Sequence, residues 1–72
     1  MGRHFWDFVV DYKRRYREYL EYNKKMENDK EGARGTLHDM EVGLRAIEEN
    51  LKLTPKQIRD YRTEAEREPV PV

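Results

Sequence analysis

The chain contains no cysteine and no serine, no apolar run longer than three residues, and no excess of either charge. Each absence closes a class of function. Without cysteine there is neither a disulfide framework nor a thiolate metal site, a usage compatible with a reducing compartment. Without serine or cysteine, acyl-enzyme chemistry on those nucleophiles is impossible. His4 and His38 stand in separate segments with no His-x-x-x-His or Glu-x-x-His spacing, so no zinc or di-iron ligand set is recognisable and no cofactor is expected. Gly32 and Gly35 lack the Lys-Ser/Thr partner of a phosphate loop. The carboxylates are spread among arginines on polar faces, where the raised pKa values of acid–base catalysis do not arise. Together these point away from an enzyme and away from a small-molecule substrate.

No segment approaches the roughly 18 apolar residues that span a bilayer. The opening stretch is broken by Asp7 and Asp11, unlike a signal peptide, so the expectation is a soluble cytoplasmic protein without a membrane partner. Fifteen basic residues balance fifteen acidic ones. Nucleic-acid binders draw much of their affinity from counterion release by a positive excess, so this balance lowers that reading. The charge is nevertheless uneven: residues 12–25 hold six basic and two acidic residues, and 36–53 hold two and four. A basic helix and an acidic one can also serve simply as each other's partners.

Seventy-two residues allow one domain with a modest core. A chain of this size buries only about 60–65% of its unfolded surface, so good helix packing or oligomerisation has to supply stability. Residues 1–67 read as one helical domain and 68–72, with Pro69 and Pro71, as an extended tail. The first helix is expected from Phe5 to about Asn28. Phe5, Phe8, Val9, Tyr12, Tyr16, Tyr19, Leu20 and Met26 recur at helical spacing and form its apolar arc, with Asn23 inside it. Asn28 to Gly35, with two glycines in a polar stretch, reads as the connection. Thr36 then suits an N-cap, with Asp39 at the reciprocal position. Leu37, Met40, Leu44, Ile47 and Leu51 alternate by three and four residues and define a second helix, Leu37 to Leu51. Gly43, off that seam, suggests a close approach. Thr54 caps and Pro55 opens a third helix to about Arg67, burying Ile58, Tyr61 and Ala65. The predicted fold is all-α: a long helix 1 antiparallel to helix 2, a short helix 3 at one end, and a thin aromatic seam that suits a dimer.

Two surfaces are candidates for function. Trp6, Val10, Lys13, Arg17 and Lys24 fall within about 60° of one another at 100° per residue, beside the apolar arc. Long basic side chains commonly cover apolar surface with their stems, and that plain packing role stands beside a docking role of equal weight. A tryptophan among basic residues is a frequent hot-spot composition, so Trp6, Lys13, Arg17, Tyr22 and Lys24 are the candidate contact residues for a protein partner. If this stripe faces water, Lys13→Glu with Arg17→Glu should leave the melting temperature almost unchanged. Tyr12, Tyr16 and Tyr19 continue the core arc, which favours packing over stacking on bases, and an RNA or single-strand binder is the weaker alternative.

The second surface lies in residues 47–62, where Ile47, Leu51, Leu53, Ile58 and Tyr61 carry the apolar spacing and Thr54-Pro55 opens a helix. This segment resembles the helix-turn-helix of bacterial and phage DNA-binding proteins. The resemblance implies that Lys56, Gln57, Arg59 and Thr63 face the major groove, Lys56 and Arg59 toward phosphate or guanine and Gln57 toward adenine. Glu48 stands where the family carries a small residue, and Lys52 where it carries the turn glycine. The sequence therefore supports a small non-enzymatic regulatory or adaptor protein, bacterial or phage in character, that binds a protein. The alternative is a helix-turn-helix DNA-binding regulator.

Overall fold

A computed structural model describes residues 4–67. The described residues form three α-helices and one short 3-10 turn: α1 (Phe5–Lys25), the turn Glu27–Asp29, α2 (Lys30–Leu51) and α3 (Pro55–Arg67). The all-α expectation is met, with no strand among these residues. The body measures 41 × 27 × 25 Å.

α1 starts where the His4 N–H donates to the Asp7 carboxylate at 3.3 Å. It ends at Lys25, three residues earlier than periodicity suggested, because the chain tightens into the 3-10 turn. The larger correction concerns α2. Asp29 caps it, its carboxylate accepting the Gly32 N–H at 3.2 Å, so the helix begins at Lys30 and runs straight through both glycines. Thr36, expected as the N-cap, is an exposed mid-helix residue. The physical reason is that a side-chain cap and one tight turn reverse the chain, leaving no need for a flexible connection. Gly43 makes no close approach either: a Cβ built there would meet nothing within 4 Å.

The α2–α3 corner takes three residues. The Lys52 N–H donates to the Glu49 carbonyl at 3.1 Å and the Leu53 N–H to the Glu48 carbonyl at 3.0 Å. That pairing is a Schellman motif, whose outer residue must be left-handed, and Lys52 has φ 55°. Thr54 then begins α3 reciprocally: its N–H donates to Gln57 Oε1 at 2.9 Å and its hydroxyl accepts the Gln57 N–H at 3.2 Å.

α1 is the element against which both other helices pack. Tyr12 of α1 meets Glu48 of α2, and Asn23 near the end of α1 meets Lys30 at the start of α2, so these two helices are antiparallel as predicted. Tyr12 and Tyr16 meet Arg62 and Glu66, so α3 runs parallel to α1 along the half that carries the tyrosines. The buried set is small: Val9, Tyr12, Tyr16, Ala33, Leu44 and Ala65, with Tyr19, Leu20, Ile47, Leu53 and Tyr61 packed partly against it. Val9 and Tyr12 are fully enclosed. Ile58 and Tyr61, expected in the interior, are half-buried. Residues 68–72, read as a tail, lie outside the described residues.

Candidate protein-docking surface on the first helix

The first turns of α1 leave four large apolar side chains in water: Phe5 46%, Trp6 58%, Phe8 37% and Val10 52% exposed. Sequence periodicity had assigned Phe5 and Phe8 to the interior. Both are covered only in part by their neighbours. Trp6 and Val10 lie one turn apart on the outer flank and present a short apolar strip. Along the same line follow Arg17, partly buried, and Lys24, exposed in the last turn.

Lys13, the centre of the predicted stripe, does not face water. It is 9% exposed, and its ammonium lies 2.6 Å from Glu64 Oε2 of α3. The same ammonium sits 5.6 Å from the ring centroids of both Trp6 and Tyr61. The cation is thus held between two aromatic faces and one carboxylate, a favourable site for a charge removed from solvent. The double substitution Lys13→Glu with Arg17→Glu is therefore not neutral to folding. It would bring two carboxylates together at the α1–α3 contact. Tyr22, a candidate contact residue outside the stripe, is half-buried and lies about 160° around the helix from Trp6 at 100° per residue, so the two do not share a face. The structure brings Trp6, Val10, Arg17 and Lys24 to one side and turns Lys13 inward, between the Trp6 ring and α3.

What periodicity missed entirely is the polar centre of the bundle. The Tyr12 hydroxyl donates to Glu48 Oε2, while Arg62 donates from Nε to the Tyr12 oxygen at 3.1 Å and from its terminal nitrogen to Glu48 Oε2 at 2.8 Å. The guanidinium also stacks over Tyr16, 4.9 Å from its centroid, and the Tyr16 hydroxyl donates to Glu66 at 3.2 Å. Burial, reinforced by the hydrogen bond to Glu48, pushes the Tyr12 hydroxyl up to about 12. Tyr16 moves the same way for the same first reason. Burial alone would lower Arg62, but its hydrogen bonds to Tyr12 and Glu48 outweigh that and hold it firmly charged. The one sequence signal was Glu48 itself, an acid at a position where the helix-turn-helix pattern carries a small residue.

The second candidate set divides. Lys56, Arg59 and Thr63 are exposed on the outer side of α3. Gln57 is not free in the same way: its amide oxygen is occupied by the Thr54 N–H. Lys52 occupies the left-handed position for which a turn glycine is suited.

Among the described residues no group of three or more His, Cys, Asp or Glu side chains could hold a metal ion. None of the described helices is long and apolar enough to cross a membrane. A recess of about 460 Å³ beside α2 is lined by Lys30, Glu31, Arg34, Leu37, His38 and Glu41, a mixture of opposed charges around one leucine. No family model, no curated protein and no solved structure matches the chain.

Proposed function

We propose that this chain is a small non-enzymatic regulatory or adaptor protein that binds another protein through the outer flank of α1. The observation that carries this reading is the exposure of Trp6 and Val10, side by side, on a domain whose enclosed core is only a handful of side chains. Apolar surface of this kind is retained against a solubility cost, and large aromatic side chains concentrate binding energy when a partner covers them. Arg17 and Lys24 extend the strip with positive charge, which gives orientation and speed of encounter more than affinity. Lys13 acts from below, holding the Trp6 ring against α3.

Affinity capture with the purified chain as bait, compared with a Trp6→Ala, Val10→Asp variant, tests the reading. Loss of the captured partner with unchanged helicity supports it. Equal capture by both proteins removes it.

A second reading is a helix-turn-helix DNA-binding regulator, favoured by the exposure of Lys56, Arg59 and Thr63 on α3 and by the left-handed corner at Lys52. DNA retention that weakens steeply with salt, and falls on Lys56→Ala with Arg59→Ala, supports that reading. No retention at low salt excludes it.

A further inference from the structure

We propose that α3 is an exchangeable arm, and that two copies of this chain form a dimer in which each α3 docks on α1 of the other. The proposal is independent of what the Trp6 strip binds. It begins with the source of the hold on α3. This helix encloses one side chain of its own, Ala65. Besides Ala65 and Tyr61, it is held by three polar side chains that meet α1 about fifty residues away in sequence: Arg62 on Tyr12 and Tyr16, Glu64 on Lys13, and Glu66 on Tyr16. On α2, Arg62 meets Glu48. The receptacle is the α1–α2 pair, and nothing in these contacts requires α3 to belong to the same chain.

The corner supplies the second observation. α2 is closed locally by its Schellman motif and α3 is opened locally by the Thr54–Gln57 pair and Pro55. α3 therefore keeps its start whichever way the chain before it points, whereas the closure of α2 depends on the left-handed Lys52. The bend that folds α3 back rests on Lys52, a side-chain-bearing residue at φ 55°, a region costly for anything but glycine. Swinging Lys52 to an extended conformation releases that strain at the loss of the Leu53–Glu48 backbone hydrogen bond, and sends Leu53 and α3 outward. Short, strained connections are the usual hinges of domain exchange, and the exchanged form can remake the α3 side-chain contacts of the closed one.

The charge pair between Lys13 and Glu64 makes the exchange testable. A Lys13→Glu chain places two acids at the α1–α3 contact, and a Glu64→Lys chain places two cations there. Mixed in equal amounts, the two pair correctly only across copies: Glu64 of one meets Lys13 of the other, and the new lysine meets the new glutamate. The expected result is a heterodimer by sedimentation that melts above either variant alone, with the doubly reversed chain serving as a folded reference. A mixture that remains the sum of its parts overturns the proposal. The unaltered chain provides a second measurement that needs no substitution. In a half-labelled sample, isotope-filtered nuclear Overhauser contacts should connect Tyr12 of one copy to Arg62 of another. Such contacts should weaken in Lys52→Gly, where the closed corner is relaxed. A monomer at all concentrations, or a dimer without those contacts, overturns it equally.

Discussion

The guanidinium of Arg62 and the carboxylate of Glu48 meet at 2.8 Å, with the hydroxyl of the fully enclosed Tyr12 bonded to both. This triad joins all three helices at one point, since Tyr12 lies on α1, Glu48 on α2 and Arg62 on α3. Removing the shared acceptor leaves the Tyr12 hydroxyl with no acceptor and Arg62 with no counter-charge, the two still bonded to each other. Glu48→Ala is expected to cost about 2 kcal/mol, below the figure for a fully buried pair because the Arg62 side chain remains 31% exposed. In a domain this small that lowers the melting temperature by roughly 10 °C. Tyr12→Phe leaves the ion pair intact and is expected to cost about 1 kcal/mol. Thermal unfolding followed by circular dichroism measures both, and the ordering of the two variants is the outcome to check.

The same burial makes the fold sensitive to high pH. Tyr12 titrates near 12 in the folded chain against 10.0 for an unperturbed tyrosine, so the folded state holds its proton more tightly than the unfolded one. A raised value contributes stability that is complete below pH 10 and disappears as pH rises toward 12. Unfolding free energy should therefore fall through that window, and tyrosinate absorbance should show a late ionisation that is lost in Tyr12→Phe. Tyr12→Phe should flatten the fall. At the acid end, hydrogen bonding to Arg15 leads the effects that hold the Asp11 carboxyl below its ordinary range, and Asp11 titration by NMR should show this.

Lys52 stands at a position suited to glycine. With φ 55° the lysine Cβ crowds its own backbone, and Lys52→Gly should raise stability by about 1 kcal/mol, less the extra freedom gained by the unfolded chain. Chemical denaturation is the appropriate measurement, read at a concentration where the oligomeric state is known.

The glycines within α2 separate in a way a flexible connection would not allow. Gly35 and Gly43 have open space where a Cβ would go, so Gly35→Ala and Gly43→Ala should each stabilise by up to about 1 kcal/mol. At Gly32 the new Cβ would lie 2.6 Å from the Asp29 carboxylate that caps the helix. Gly32→Ala should therefore lose in capping what it gains in propensity, with a melting temperature close to that of the unaltered chain. Equal stabilisation at Gly32 and Gly35 would contradict the assignment of Asp29 as the cap.

Much of this architecture was legible in the sequence. Thr54-Pro55 announced α3 to the residue, because a cap and a first-position proline are local signals. The three-four alternation from Leu37 to Leu51 announced the core of α2, and Leu44 at its centre is buried. The start of α2 was obscured because Gly32 and Gly35 outweighed Asp29 as punctuation, although one aspartate at the right place was enough to begin the helix. Lys13 was misplaced for a different reason. Its surroundings are Glu64 and Tyr61, which no spacing within α1 can reveal. The triad of Tyr12, Glu48 and Arg62 is long-range in the same sense, and long-range polar contacts leave no periodic trace in a single sequence.

Trp6 is the sole tryptophan, and its emission reports its surroundings directly. In the free chain it should fluoresce at the long wavelengths of a water-exposed indole and be readily quenched by a neutral quencher in solution. A short-wavelength emission protected from the quencher would place Trp6 inside the bundle and remove the surface on which partner binding rests.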